Sequence, residues 1–254
     1  MTLAAFVFDV DGTLADTERD GHRVAFNQAF AEAGLDWHWD VALYGTLLAV
    51  TGGKERMRHY LDRYRPDWAR PADLDGLIAR LHAAKTRYYT ALLAKGGIPL
   101  RSGVARLLRE ARSAGIRLAI ATTTTPENVT ALIEHALTPE AVGWFEVIAA
   151  GDVVPAKKPA PDIYRYALDK LGLAPETCLA FEDSKNGLRA ARAAGLRTVI
   201  TVNDYTRDQD FTDAVLVLDQ FGEPQQPFRV LGSRMPLNGA RMFDLSLARV
   251  LAGE

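Results

Sequence analysis

The chain has 254 residues, of which 48% are hydrophobic and 24% are charged, enough for one large domain or for a domain with an insert. Its formal net charge of −2 creates no basic field, so we expect neither nucleic acid nor a membrane surface as a partner. A single cysteine, Cys178, excludes an internal disulfide bond, and no apolar run approaches the length of a membrane span. The first apolar run lacks the basic flank and cleavage site of a secretion signal, so we expect a cytoplasmic protein.

Short apolar runs alternate with helical patterns along most of the chain. The runs predict strands at 3–8, 117–122, 145–150, 177–182, 196–201 and 214–219. Because these runs are short and continuously apolar, we expect the strands to be buried on both faces. Helix signals lie between them, such as Thr125 before Pro126 at a helix start. The alternation predicts an α/β fold with a Rossmann-like open parallel sheet as its core.

One long stretch interrupts this alternation. Between residues 16 and 94 the sequence carries only helical patterns. We therefore predict a core domain formed by 1–15 and 95–254, with an α-helical cap domain at 16–94 inserted after strand 1. Such an insert would lie over the carboxyl ends of the strands, where ligands bind in open α/β sheets, and could act as a lid. The sequence does not define a role for the turn-rich tail and closing helix at 222–254.

Polar side chains follow four of the predicted strands, at or just beyond their carboxyl ends. They are Asp9 and Asp11, then Thr122, then Lys158, and finally Glu182 and Asp183. If the sheet is parallel, these residues converge at one edge. Carboxylates with one lysine and one hydroxyl group suit a hard cation such as Mg²⁺ together with a phosphoryl group. Each motif alone could be a turn, a helix start or a solvated side chain, but their joint position favours chemistry.

The segments that carry these residues resemble a known family. FDVDGTLADTE, IATTTT, KKPAPDIY and FEDSKNGLRAARAAG are similar to the four motifs of haloacid dehalogenase-like (HAD) phosphatases. They match the branch of β-phosphoglucomutase and phosphoglycolate phosphatase, which carries a helical cap after the first motif. The segments TGGKER, HAAKTRYYTALLAKGGIPLRSGV and EVIAAGDVVPAKKPAPDIY look closest to CbbY-type phosphatases. Those enzymes remove phosphate from xylulose-1,5-bisphosphate, an inhibitory by-product of Rubisco.

The resemblance implies a role for each core residue. Asp9 would be the nucleophile that forms an aspartyl-phosphate, and Asp11 would act as general acid and base. Thr122 and Lys158 would hold the transferring phosphoryl group. The implied Mg²⁺ ligands are the Asp9 side chain, the Asp11 backbone carbonyl, Asp183 and Glu182.

We expect the cap to select the substrate. Gly52 and Gly53 precede a helix that starts near Lys54, and amide groups with a lysine at a helix N-terminus form a candidate anion site. A glycine turn before a solvated helix is the structural alternative. The other candidates for substrate contact are Glu18, His22, Thr51, Arg56 and Lys85 in the cap, with Thr123 in the core.

Three functions stay open at this point. The first is a monomeric, Mg²⁺-dependent phosphatase for a small phosphosugar, or for phosphoglycolate. The second is a β-phosphoglucomutase-like mutase, which shares the core and differs in its cap contacts. The third is a regulatory domain phosphorylated on aspartate, although such domains lack a helical insert of this size. A dehalogenase is disfavoured because such enzymes carry no acid–base aspartate at position 11.

Overall fold

The computed structural model describes residues 2–237 and 239–254. Its strands are β1 (Ala5–Phe8), β2 (Arg117–Ala121), β3 (Phe145–Ala149), β4 (Cys178–Glu182), β5 (Arg197–Thr201), β6 (Leu216–Leu218) and β7 (Val230–Ser233). They form one sheet in the order β3-β2-β1-β4-β5-β6-β7. The first six strands run parallel, which confirms the predicted fold class. The central position of β1, between β2 and β4, places three of the four predicted site motifs side by side.

The seventh strand was not predicted. β7 lies in the tail that the sequence suggested was only turn-rich, and it pairs antiparallel with β6 at the edge of the sheet. Val230 and Leu231 in this strand are exposed, so β7 lacks the continuous burial that made the other strands recognisable in the sequence.

Helices cover both faces of the sheet and form the insert. They are α1 (Arg23–Glu32), α2 (Val41–Leu47), α3 (Gly53–Tyr64), α4 (Leu74–Leu93), α5 (Val104–Ser113), α6 (Pro126–Ala136), α7 (Asp162–Leu171), α8 (Lys185–Ala193) and α9 (Leu245–Ala252). In β1, Phe6 and Phe8 pack on the side of α5, α6 and α9. Ala5 and Val7 face the side of α7 and α8. Successive side chains of a strand point to opposite faces, so the continuously apolar β1 is buried on both.

The insert has its own apolar cluster. Its buried residues are Phe26, Phe30, Trp37, Trp39, Tyr44, Leu47, Met57, Tyr60, Leu61, Ile78 and Leu81. Aromatic rings meet edge to face in this cluster. The ring centroids of Phe30 and Trp39, for example, lie 4.9 Å apart, which is a favourable geometry. A separate cluster supports the predicted cap domain, whose boundaries at 16 and 94 stay a prediction.

The two linkers between insert and core run side by side. Ala15 and Leu100 form an isolated antiparallel bridge, and the Arg101 amide donates to the Leu14 carbonyl at 2.8 Å. Both linkers therefore leave the core next to the carboxyl end of β1. Within residues 2–237 and 239–254, the structure contains no helix that is long and apolar enough to cross a bilayer.

Candidate active site

The loop after β1 turns sharply and places its first carboxylate among the strand ends. The Asp9 amide bonds to the Phe181 carbonyl at 2.9 Å, and the Leu14 amide closes a helical turn on the Val10 carbonyl at 2.9 Å. Gly12 has a positive φ of 86°, which favours glycine. A Cβ at Gly12 would also collide with the Asp183 carboxylate, so the close approach of this loop to β4 requires glycine.

Lys158 joins two of the acidic residues at the centre of the site. Its Nζ lies 2.6 Å from Asp9 Oδ1 and 2.5 Å from Glu182 Oε1, and its side chain is 4% exposed. Tyr164 on α7 donates its hydroxyl hydrogen to the same Glu182 oxygen at 2.6 Å. Glu182 Oε1 is therefore occupied by Lys158 and Tyr164, and this carboxylate orients the lysine toward Asp9.

The three carboxylates of this site carry more negative charge than Lys158 balances. Asp9, Glu182 and Asp183 each offer a carboxylate oxygen within 4.8 Å of the others, and all three are buried. Burial raises the pKa of Asp9 to about 8; Glu182 adds to the rise and Lys158 opposes it. Burial, with Asp9 and Glu182 nearby, also raises the pKa of Asp183 well above its usual range. An additional positive charge at this position would favour the ionised carboxylates.

The donor set fits a divalent cation. All of its atoms are oxygens, which hard cations such as Mg²⁺ and Ca²⁺ prefer. Asp9 and Asp183 are carboxylates whose pKa values are raised by burial and by their acidic neighbours, so a bound cation would favour their ionised forms. Asn203 Nδ2 orients Asp183 through a 2.7 Å bond to Oδ2. Glu182 keeps Oε2 for a weaker contribution because its Oε1 is already bonded.

Asp11 is held in a different environment from Asp9. Its Oδ1 accepts a 2.6 Å bond from the Thr17 hydroxyl and lies 2.8 Å from His22 Nε2. Burial alone would raise the pKa of Asp11, but His22 and Thr17 outweigh it and hold this pKa below its usual range. The two aspartates of the loop thus have pKa values displaced in opposite directions, as expected for carboxylates that perform different tasks.

Glu18 and Arg56 meet in the cap above this loop. The Tyr44 hydroxyl donates to Glu18 Oε2 at 2.5 Å and accepts from Arg56 Nη1 at 2.9 Å. Arg56 also lies 4.0 Å from Glu18 and is buried. Both residues line the cavity of about 90 Å³ that contains Asp9 and Lys158.

Lys85 is a buried cation that points into the same region. It lies over the rings of Phe26 and Tyr89 at 5.4 and 5.2 Å, and burial lowers its pKa to about 8. Among the residues that the structure describes, no acceptor lies within bonding distance of its ammonium group. It lines a second cavity of about 40 Å³ together with Arg56, Gly52 and Gly53.

The other cap candidates lie where the cap meets the core. Thr51 lines the larger cavity, and its hydroxyl accepts a 3.2 Å bond from Asn186 on α8. Gly52 and Gly53 lie at the start of α3 and line the smaller cavity. Lys54 Nζ instead contacts Asp152 Oδ2 at 2.8 Å. The structure therefore places Lys54 at the rim of the cap, in an ion pair with the core.

The core threonines lie beside the carboxylates. Thr122 is buried, its amide bonds to the Ala149 carbonyl at 2.9 Å, and it lines the same cavity as Asp9. Thr123 lines both cavities. All the residues selected from the sequence except Lys54 and Glu182 line one or both cavities.

Several residues of the site were missed by the sequence analysis. Asn203 lies two residues beyond the end of β5, so the rule that located the other strand-end residues would have found it. Tyr164 lies within the KKPAPDIY segment, but nothing in the pattern marks its hydroxyl as bonded. Thr17 and Tyr44 have no local signal: nothing in the pattern marks the Thr17 hydroxyl as bonded to Asp11, and Tyr44 meets Glu18 only when distant parts of the insert pack together.

Comparison with known proteins shows the family of this chain. A family model described as haloacid dehalogenase-like hydrolase matches residues 3–195. A CbbY protein from a plasmid of Cupriavidus necator is 49% identical over 247 residues, which are 97% of this chain and 96% of that protein. CbbY from Rhodobacter capsulatus is 54% identical over 84% of this chain and 92% of its own length.

A solved structure is also similar. The crystal structure of a CbbY mutant from Rhodobacter sphaeroides, in complex with xylulose-(1,5)bisphosphate, has a TM-score of 0.81 at 50% identity. It covers 87% of this chain and 96% of that one. The chain therefore belongs to the haloacid dehalogenase-like hydrolase family. Within it, the chain is similar over most of its length to CbbY proteins, which confirms both the resemblance and the enzyme class, a phosphatase.

Proposed function

We propose that this chain is a Mg²⁺-dependent phosphatase for a sugar with two phosphate groups, and that this sugar is xylulose-1,5-bisphosphate. The observation that carries the proposal is a division of buried cations between two adjoining cavities. Lys158 lies beside Asp9 in the larger cavity, whereas Lys85 lines the smaller one and Arg56 lines both. One phosphate group would bind beside Asp9, held by Lys158 and the proposed cation, and a second would bind near Lys85 and Arg56. The ligand of the similar CbbY structure supports the choice of sugar.

Asp9 is the proposed nucleophile. A carboxylate oxygen of Asp9 forms a bond to phosphorus while the bond from phosphorus to the sugar oxygen breaks, which gives an aspartyl-phosphate. Lys158, 2.6 Å from Asp9 Oδ1, holds the phosphoryl oxygens through its charge. Thr122 and Thr123 line the wall beside it and supply hydroxyl and amide donors.

Asp11 is the proposed acid and base. Its Oδ1 is fixed by Thr17 and His22, which leaves Oδ2 for the substrate. The dianionic phosphate group raises the pKa of Asp11 as it binds, because like charges disfavour ionisation. Protonated Asp11 gives its proton to the departing sugar oxygen and then takes one from the water that attacks the aspartyl-phosphate, releasing inorganic phosphate and restoring Asp9.

Asp9, Asp183 and the Asp11 backbone carbonyl are the proposed Mg²⁺ ligands, with Glu182 Oε2 as a weaker fourth. When bound, the cation neutralises phosphoryl charge and restores the ionised form of the carboxylates. We further propose that residues 16–94 close over the substrate as a lid. A monomeric state and a cytoplasmic location stay predictions.

The test replaces the nucleophile and measures product. Asp9→Asn is expected to abolish phosphate release and phosphoenzyme formation, while Asp67→Asn, at an exposed residue away from both cavities, retains both. The substrate panel compares kcat/KM for xylulose-1,5-bisphosphate with that for pentulose monophosphates, phosphoglycolate and β-glucose 1-phosphate. We expect the bisphosphate to exceed the monophosphates by about tenfold to a hundredfold, the effect of one charge-assisted anion contact.

Other results would redirect the proposal. Equal low activity on every sugar would contradict the bisphosphate but leave the phosphatase intact. Formation of a phosphosugar isomer from β-glucose 1-phosphate and a bisphosphate activator, without phosphate release, would identify a mutase. Stable aspartyl phosphorylation by acetyl phosphate without any turnover would identify a regulatory domain.

A further inference from the structure

Arg101 lies in the second linker of the cap, just before α5, and its side chain is 9% exposed. A buried arginine normally faces a carboxylate or phosphate, because its charge is costly to remove from water. The Arg101 guanidinium group is instead surrounded mainly by backbone carbonyls of the core.

The four Nη hydrogens of this guanidinium are all donated to backbone carbonyls. Nη1 donates to the Gly12 carbonyl and, at 3.0 Å, to the Thr201 carbonyl. Nη2 donates to the Val202 and Asp219 carbonyls at 2.5 and 2.8 Å. Nε lies 3.4 Å from Asp16 Oδ1. Both Nη groups of the planar fork are therefore fully used, and they connect three segments of the core.

Two of these segments are parts of the catalytic site. Gly12 follows Asp11 in the catalytic loop and lies against the Asp183 carboxylate. Val202 precedes Asn203, whose amide bonds Asp183 at 2.7 Å. Arg101 thus lies behind the carboxylate cluster and fixes the backbone on two sides of Asp183.

The same side chain also joins the two linkers of the cap. Asp16 belongs to the first linker and Arg101 to the second, next to the bridge between Ala15 and Leu100. The side chain therefore connects the catalytic loop of the core to the point where the chain enters and leaves the cap.

We propose that Arg101 is a positioning residue, which shapes the divalent-cation site by holding the Gly12 and Val202 carbonyls in place. This inference rests on the proposed function, since it assigns the cation site to Asp9, Asp183 and the catalytic loop. A lysine at 101 would keep the charge but offer three donors from one nitrogen atom. It could not span all three segments.

The test measures Mg²⁺ binding to Arg101→Lys by titration calorimetry, without substrate, alongside kcat and KM. The control is Arg106→Lys, because Arg106 is also partly buried and its Nη2 donates to two backbone carbonyls, of Gly222 and Phe243. We expect Arg101→Lys to bind Mg²⁺ about 10- to 100-fold more weakly, as for residues that orient metal ligands. Arg106→Lys should remain within about twofold of wild type. Urea denaturation verifies that both variants are folded.

The outcomes separate the role of Arg101 from the proposed metal chemistry on which it rests. Wild-type affinity in folded Arg101→Lys, or an equal loss in Arg106→Lys, would overturn the role of Arg101. Absence of Mg²⁺ binding to the wild type would instead overturn the proposed metal chemistry, and the inference with it. If Arg101→Lys does not fold, ¹⁵N-arginine spectra of the wild type replace it. The Arg101 Nε resonance should then shift on Mg²⁺ addition while that of Arg106 does not, and an unchanged Arg101 resonance would contradict the inference.

Discussion

The Tyr164 hydroxyl group donates a 2.6 Å hydrogen bond to Glu182 Oε1, the oxygen that also contacts Lys158. This bond fixes Glu182 on the side of the lysine, which in turn reaches Asp9. Gly187 leaves room for the Glu182 side chain, because a Cβ at position 187 would collide with the Glu182 carboxyl group. The orientation of the catalytic lysine therefore depends on a tyrosine from α7, although the other catalytic residues follow the ends of strands.

Removal of this hydroxyl group should slow the reaction without unfolding the protein. In Tyr164→Phe, Glu182 loses one donor and Lys158 is oriented less well, so we expect kcat to fall about fivefold to tenfold, within the net value of one intramolecular hydrogen bond. Steady-state kinetics on the phosphosugar measure the effect. Tyr166→Phe, on the same helix but only partly buried, should retain the wild-type kcat. A Tyr164→Phe enzyme with unchanged kcat would show that Glu182 holds Lys158 unaided.

The stability of the metal-free protein should fall as the pH rises from about 4 through 8. The pKa of Asp9 is about 8 in the folded chain, above its usual 3.8, so the folded state binds more protons than the unfolded state in this interval. The free energy of unfolding, measured in urea with EDTA present, should therefore decrease. Mg²⁺ should reverse the decrease by about 2.7 kcal/mol at a hundredfold excess over its Kd.

Asp183→Asn separates the stability of the site from its function. The variant removes one of the repelling carboxylates, so we expect the metal-free protein at pH 8 to gain about 1 to 3 kcal/mol of stability. It should also lose the stabilisation by Mg²⁺ and nearly all turnover, because Asp183 is a proposed ligand. A metal-free variant less stable than wild type would show that Asp183 is held by its bond to Asn203 more strongly than it is repelled by Asp9.

Lys85 should give the enzyme an alkaline limit. Because its pKa is about 8, Lys85 is positively charged at pH 7 and loses this charge above pH 8. The proposed contact with phosphate is weakened as the charge is lost. We expect kcat/KM to decline above about pH 8. Lys85→Met should raise KM about tenfold or more at pH 7 and stabilise the protein by about 3 kcal/mol, because a buried charge is removed. The exposed Lys95→Met is the control, and an unchanged KM in Lys85→Met would exclude Lys85 from substrate binding.

The ion pair between Lys54 and Asp152 joins cap to core and should favour the closed cap. Exposed pairs of this kind contribute about 0.2 to 1 kcal/mol, so Asp152→Asn should raise KM by up to about fivefold. High salt should erase the difference. Asp75→Asn breaks the pair with Arg58, which lies within the cap, and should leave KM unchanged. A lower KM in Asp152→Asn would instead show that the released Lys54 binds the substrate, as the sequence analysis expected.

Six strands, the helical insert and the strand-end residues were predicted because their signals are local. A buried parallel strand needs a continuous apolar run, and its carboxyl end is the place where Asp9, Thr122 or Asp183 can face a ligand. The exposed edge strand β7 follows no such rule, so its sequence resembles a turn. The short helix α2 was likewise not predicted as a separate element within the helical insert, because its seven residues carry little periodic pattern.

The sequence by itself determined the fold class, the helical insert and the set of groups that can perform phosphoryl transfer. Only the tertiary structure decided how these groups are paired. It placed Glu182 on Lys158, His22 on Asp11 and Lys54 on Asp152, each pair joining segments that are distant in the chain or in different domains. The sequence specifies the identity of a side chain. Its partner and its burial, and therefore its pKa, depend on which segments pack against it in the folded chain.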